Sequence, residues 1–228
     1  MEIISSIFVV FCALILPISA TVYLSSRKKG LSIPILIGAI TFFVFQILIR
    51  IPLLQIVLPN TSWYLVMRLA HPLLYTLFLG VTAALVEELG RYIMMRVFIN
   101  KRQSSIDGIA FGVGHGGIEA ILLVGINALM MLIFARQSIT PELMFANGIE
   151  RVATLALHIS WSVMVMKSIR EKKVCWLLLA LLMHAVIDSA VAYAMIQGIS
   201  VFIIEGILMI CAMLSTLFVI KEYKRRRS

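Results

Sequence analysis

Charge is the first thing this sequence lacks. Of its 228 residues only 14% are Asp, Glu, Lys or Arg, where a soluble domain carries about 25%. That excludes an ordinary globular enzyme and any disordered or fibrous class. Cysteine is also scarce. Cys12, Cys175 and Cys211 make an odd number, each inside an apolar run, with no CxxC pair and no Cys/His tract. A disulfide framework and a zinc knuckle are excluded on that count. The N-terminus lacks the basic n-region and small-residue cleavage site of a signal peptide. It reads Met1-Glu2 and then an apolar run, so the first segment is expected to stay as a helix. Gly/Ser linkers, low-complexity stretches and internal repeats are missing too, and the last absence argues against a repeat-built transporter.

What is present is apolar. Hydrophobic residues make up 61% and the mean hydropathy is +1.04, which describes an integral membrane protein. Seven apolar segments follow one another at about 3–24, 34–57, 69–96, 108–134, 149–168, 175–195 and 199–220. The expected architecture is an all-α bundle of about seven transmembrane helices forming one polytopic domain over 1–228. The net charge of +9 could suggest nucleic acid, but its distribution excludes that partner. Arg27, Lys28 and Lys29 form one cluster, and Arg96, Lys101 and Arg102 a second. Lys167, Arg170, Lys172 and Lys173 form a third, and Lys221, Lys224, Arg225, Arg226 and Arg227 the tail. These alternate loops hold fifteen of the 20 Lys and Arg, while the opposite loops hold Arg68, Arg136 and Arg151. The positive-inside rule then puts the N-terminus outside and the C-terminus in the cytoplasm.

Ionisable groups within such segments are costly, and each is a candidate functional residue. They are Glu87, Glu88 and Arg91 in the third segment, His115 and Glu119 in the fourth, His158 in the fifth, and His184 and Asp188 in the sixth. Arg50, His71 and Glu205 complete the set. At 1.5 Å per residue, Glu87, His115 and His158 lie about 12–13 Å inward from the nearest charged boundary on the basic side, and His184 about 16 Å. Four helices running in alternating directions thus carry one level of acids and histidines. Positions four apart share a helix face, which pairs Glu87 with Arg91, His115 with Glu119, and His184 with Asp188. Arg91 would neutralise one carboxylate of the Glu87-Glu88 pair and leave the other available. Asp188 would fix the tautomer of His184. Each pair has a purely structural alternative: an ion cluster or hydrogen bond that pins helix packing. His158 stands alone with Trp161 one turn on. His71 reads as an interfacial histidine, Glu205 as structural, and Arg50 as a partner of Glu205 or a side chain reaching for the interface. Gly108, Gly112 and Gly116, with Gly114 and Gly117 between them, read as a surface for close helix approach that also leaves room beside His115.

Carboxylates and histidines at one depth can activate water for hydrolysis or carry protons for a transporter. A non-catalytic binding protein is the third possibility. For hydrolysis, Glu87 or Glu88 takes a proton from water, His115 holds the water, and His184 oriented by Asp188 donates to the developing oxyanion. His115, His158 and His184 are candidate ligands for a zinc ion with water completing the set. A metal-free Glu/His mechanism is the alternative, since neither HExxH nor HxxEH occurs.

Three motifs carry a resemblance. Glu87-Glu88-Leu89-Gly90-Arg91 reads EExxR, Phe111 to His115 reads FxxxH, and His184 to Asp188 reads HxxxD. In this order on successive helices they resemble the CPBP superfamily of intramembrane proteases, which includes type II CaaX prenyl endopeptidases, bacteriocin-processing homologues and PrsW proteases. Within it, the run FGVGHGGIEA at 111–120 and the chain length are similar to the YhfC family of bacterial intramembrane metalloproteases. The resemblance implies that Glu87 and His115 activate water, that Glu88 and Arg91 support them, and that His184 and Asp188 form the oxyanion side. Asp188 stands where the CaaX enzymes commonly have Asn, and their first motif often has one more residue before Arg. His158 and Glu119 fall outside the three motifs, with Glu119 read as a supporting residue. The implied partner is a peptide or membrane-anchored protein substrate within the lipid bilayer, and the implied location a bacterial plasma membrane.

Overall fold

The computed structural model describes residues 2–134 and 140–225. Arg136, and Arg226 and Arg227 of the basic tail, lie outside the described residues. Every regular element among the described residues is helical. Seven helices are long and apolar enough to cross a membrane: α1 (Ile3–Arg27), α2 (Ser32–Asn60), α4 (Pro72–Phe98), α5 (Ser105–Phe134), α6 (Pro141–Glu171), α7 (Cys175–Ile196) and α8 (Val201–Arg225). A short helix α3 (Ser62–Ala70) precedes α4. The protein is a multi-pass membrane protein of the all-α class. Lipid offers the backbone no hydrogen-bond partner, so apolar segments of this length satisfy their own amides and carbonyls as helices.

The helix ends follow local chemistry. The third apolar segment, read as 69–96, is divided at His71. The proline ring of Pro72 forces the preceding residue out of helical geometry, and His71 sits at φ −131° and ψ 69°. A capping box between Ser104 and Asp107 opens α5. Thr140 accepts a hydrogen bond from the Leu143 amide, with Pro141 in the first turn, and opens α6. Lys172, at φ 55°, closes α6.

The start of α6 corrects the sequence reading. Hydropathy marks 149–168, but the helix begins at Pro141. Glu142, Asn147, Glu150 and Arg151 lower the local hydropathy without interrupting the helix. Arg151, assigned to an outer loop, is therefore a buried residue of α6. This helix is the centre of the bundle. In its most apolar stretch 72% of residues are buried, against 28–39% in the other six. Around it Met95 of α4, Phe111 of α5, Leu177 of α7 and Leu208 of α8 pack against Leu157, Trp161 and Met164. Large apolar side chains such as Ile3, Ile56, Leu178, Ile207 and Leu214 point outward, as a lipid-facing surface requires.

Two close approaches fix α5. The ladder of Gly108, Gly112 and Gly116 faces α6: a Cβ on Gly108 would meet Val163 Cα at 3.2 Å, one on Gly112 would run into the backbone of Ile159, and one on Gly116 would meet His158 Cβ at 3.0 Å. On the other side a Cβ on Gly114 would collide with the Ile35 carbonyl of α2. Small residues thus let α5 lie backbone to backbone between two neighbours, with His115 between the contact points.

Candidate active site

Helices α4 to α7 bring the intramembrane acids, histidines and arginines into one network. Glu87, Glu88, Arg91, His115, Glu119, Arg151, His158 and His184 are all buried. The Arg91 guanidinium is the hub. Its Nη1 donates to Glu88 Oε1 at 2.7 Å, and its Nη2 donates to Glu87 Oε2 at 3.4 Å and to His158 Nδ1. A guanidinium has no lone pair, so His158 Nδ1 must accept. The His158 ring proton then sits on Nε2, which lies 2.5 Å from Glu119 Oε2. Glu119 is held in turn by Arg151 Nη1 at 3.1 Å, while Arg151 Nη2 pairs with Glu150.

The other two histidines meet the two adjacent glutamates. His115 Nε2 is 3.0 Å from Glu87 Oε2. His184 Nδ1 is 2.8 Å from Glu88 Oε1, and its Nε2 is 3.4 Å from Asp188 Oδ2. His184 thus has a carboxylate at each ring nitrogen. Trp161 stacks on the same ring, with centroids 4.2 Å apart and planes within 11°, which fixes its orientation.

Some of the expected pairings differ. Arg91 lies nearer Glu88 than Glu87, so the two carboxylates share one cation and Glu88 is the more tightly held. His115 and Glu119 do not pair: Glu87 engages His115 from α4, and Glu119 turns to Arg151 and His158 on α6. Arg50 does not pair with Glu205. Its Nη2 donates to the Leu79 carbonyl at 2.7 Å and to Thr82 Oγ1 at 3.4 Å. The His184–Asp188 pair is present as spaced. His71 lies at the α3–α4 break and contributes nothing to the network. His158, read as solitary, is the residue through which Arg91 and Glu119 connect. Arg151 was missed as a site residue. Its seven-residue spacing from His158, two turns on one helix face, would have marked it once the helix was started at the Thr140 cap.

A cavity of about 280 Å³ opens beside the network. Glu87, Glu119, His158, His184 and Asp188 form its polar wall, Gln46 and Arg50 of α2 reach it from across, and Leu79, Ile187, Val191 and Met195 form its apolar wall. Asp188, with its side chain 40% exposed, lies on the open side.

Among the described residues one group of donors converges closely enough for a metal ion. Glu87, His115 and His158 each offer a ligand atom, and these lie within 4.8 Å of one another. His184 is not in that group, its nitrogens facing Glu88 and Asp188. Two imidazoles and a carboxylate are a donor set of catalytic zinc sites, which leave a fourth position for water. His115 Nδ1 is buried without a hydrogen-bond partner and its Nε2 faces the Glu87 carboxylate, so this ring would ligate through Nε2 with its proton moved to Nδ1. His158 would ligate only on releasing Arg91 from Nδ1 or Glu119 from Nε2. The donor types fit a metal, and binding one would rearrange these hydrogen bonds.

The chain is similar to known proteins along most of its length. The profile of the family described as YhfC intramembrane metalloprotease matches residues 12–142 and 136–209. The chain is 33% identical to the Bacillus subtilis (strain 168) protein named "Uncharacterized membrane protein YhfC", over an alignment of 244 residues that covers 92% of each chain. No solved structure matches the chain.

Proposed function

The chain belongs to the YhfC intramembrane metalloprotease family, and from that premise we propose that it is an endopeptidase that hydrolyses a peptide bond within the bilayer. One observation carries the reading: the donor atoms of Glu87, His115 and His158 converge, and Glu87 and His158 of that group line an intramembrane cavity. Zinc held by these three residues would polarise a water and supply a nucleophile at neutral pH. In the metal-free form of the mechanism, His115 Nε2 holds the Glu87 carboxylate at 3.0 Å, and Glu87 takes the proton of a water bound on its cavity side.

The remaining residues position the reacting groups. His184, stacked on Trp161 and held at Nδ1 by Glu88, turns its Nε2 N–H from Asp188 to the carbonyl oxygen as negative charge develops there. The longer contact to Asp188 is the one that gives way. Arg91 keeps Glu87, Glu88 and His158 in register, and Arg151 does the same for Glu119. The substrate is a peptide or membrane-anchored protein whose scissile bond reaches the cytoplasmic half of the bilayer, a depth supported by the basic clusters at that end of the helices.

The test is elemental analysis of detergent-purified protein, wild type beside His115→Ala, before and after a chelator, with cleavage of an apolar fluorogenic peptide measured on the same samples. Zinc bound to the wild type and lost in the variant, with cleavage lost alongside it, is the expected result. Metal-free wild type that cleaves only while Glu87 is intact selects the metal-free form. Cleavage unchanged by Glu87→Gln sinks the reading altogether.

A further inference from the structure

Arg50 is a cation with no anion in contact. It is nine-tenths buried, yet its two hydrogen bonds, both from Nη2, go to the neutral Leu79 carbonyl and Thr82 hydroxyl. Its Nε is buried with no partner, and among the described residues no carboxylate is in salt-bridge contact with it. The network arginines are different: Arg91 contacts Glu87 and Glu88, and Arg151 contacts Glu119 and Glu150. Glu87 and Asp188 act on Arg50 only from beyond contact distance, which leaves a membrane-embedded guanidinium partly compensated and costly. Arg50 lines the cavity, so its open face looks into the space a substrate would occupy.

A second group accompanies it. Gln46 lies four residues earlier on the same helix face, lines the same cavity, and has a buried amide oxygen with no partner. Both residues sit on the wide π-type turn Phe43–Arg50 of α2.

We propose that Arg50 and Gln46 form a subsite for a substrate carboxylate, either the C-terminal carboxylate of a peptide or the side chain of an internal Asp or Glu. The fork of Arg50 matches the two oxygens of a carboxylate. The Gln46 Nε2 supplies a further donor, and its partnerless Oε1, an acceptor, takes an N–H of the adjoining peptide bond. The carboxylate would give Arg50 an anion in direct contact, and Leu79, Ile187 and Val191 would take the apolar residues next to it. Arg50 is anchored on Leu79, eight residues before Glu87 on α4, a rise of about 12 Å. An extended chain covers that in roughly three to four residues, which sets the spacing between the bound carboxylate and the bond that is cut. The proposal rests on the reading that this cavity receives a peptide.

The test measures binding rather than turnover, so its failure is distinct from failure of the protease reading. Three apolar acetylated pentapeptides are titrated into the full chain carrying Glu87→Gln: one with a free C-terminal carboxylate, one amidated, and one amidated with an internal Glu. At least one acidic peptide should bind about tenfold or more tightly than the neutral amide, as a charge-assisted hydrogen bond supplies. Which one does so identifies the source of the carboxylate. Arg50→Gln should abolish the preference and Arg50→Lys should keep part of it. If Arg50→Gln does not fold, Gln46→Leu should still reduce the preference measured without it. Equal binding of all three peptides, no binding of any, or an acid preference that survives Arg50→Gln or is untouched by Gln46→Leu overturns the proposal.

Discussion

Two buried charge clusters in this bundle use the same residue types to different ends. Near the last turns of α6 and α8, Lys167 pairs with Glu222 at 3.0 Å, Arg170 closes on the other oxygen of Glu222, and Arg225 reaches both Glu222 and Glu171. Lys167 also lies 3.7 Å from the centre of the Trp176 ring. That cluster holds no histidine, and its acids are each met by Lys or Arg. The cluster on α4 to α7 adds three histidines and borders a cavity. It also leaves Glu88 Oε2, Arg91 Nε, His115 Nδ1 and Trp161 Nε1 buried without hydrogen-bond partners. Matched charges fasten one helix to another. Charges mixed with imidazoles and unmet atoms beside open space are what the proposed active site requires.

The comparison is tested most severely at Glu87. Glu87→Gln keeps the shape of the side chain and should lower cleavage by a factor of about 10² to 10⁴, the usual contribution of a general base, while the melting temperature in detergent holds. Arg91→Met should do the reverse first. Removing the cation leaves two buried carboxylates and His158 without their donor, and the cost should be about 3–5 kcal/mol, read as a lowered unfolding midpoint. Lys167→Met should cost about 1.5–3 kcal/mol, less than Arg91→Met because Arg170 and Arg225 still hold Glu222, and it should leave the cleavage rate per folded molecule unchanged. Loss of cleavage in that variant would break the distinction between clamp and site. His71→Ala, at an exposed break between helices, should stay within about 0.5 kcal/mol of wild type in the same unfolding measurement.

Much of this was legible in the sequence because lipid imposes simple rules. Seven apolar runs became seven crossing helices, since a segment of that length in hydrocarbon has few other ways to satisfy its backbone. Glu87, His115, His158 and His184 stood out because ionisable groups are rare at that depth, and counting along each helix put them at one level. Spacing along a single helix was a weaker guide. It paired His184 with Asp188 correctly, but it paired His115 with Glu119, where the partners lie across helices. Which groups meet across an interface depends on how each helix is rotated, and for α5 the glycines set that rotation, not the charges. Arg151 was hidden because polar residues early in α6 lower the hydropathy without ending the helix. The neutral anchoring of Arg50 on the Leu79 carbonyl left no trace in residue spacing at all.

The glycine contacts of α5 carry a consequence for how the protein tolerates mutation. Gly112 and Gly114 touch no reacting atom, yet any side chain at either position meets a neighbouring backbone, which has no rotamer by which to yield. In a saturation map of activity these two positions would be as intolerant as His115, and a survey by function alone would place them in the active site. Measuring membrane abundance beside activity separates them. Glycine substitutions would deplete the protein itself, whereas a conservative change at Glu87 would leave the membrane full of inactive enzyme.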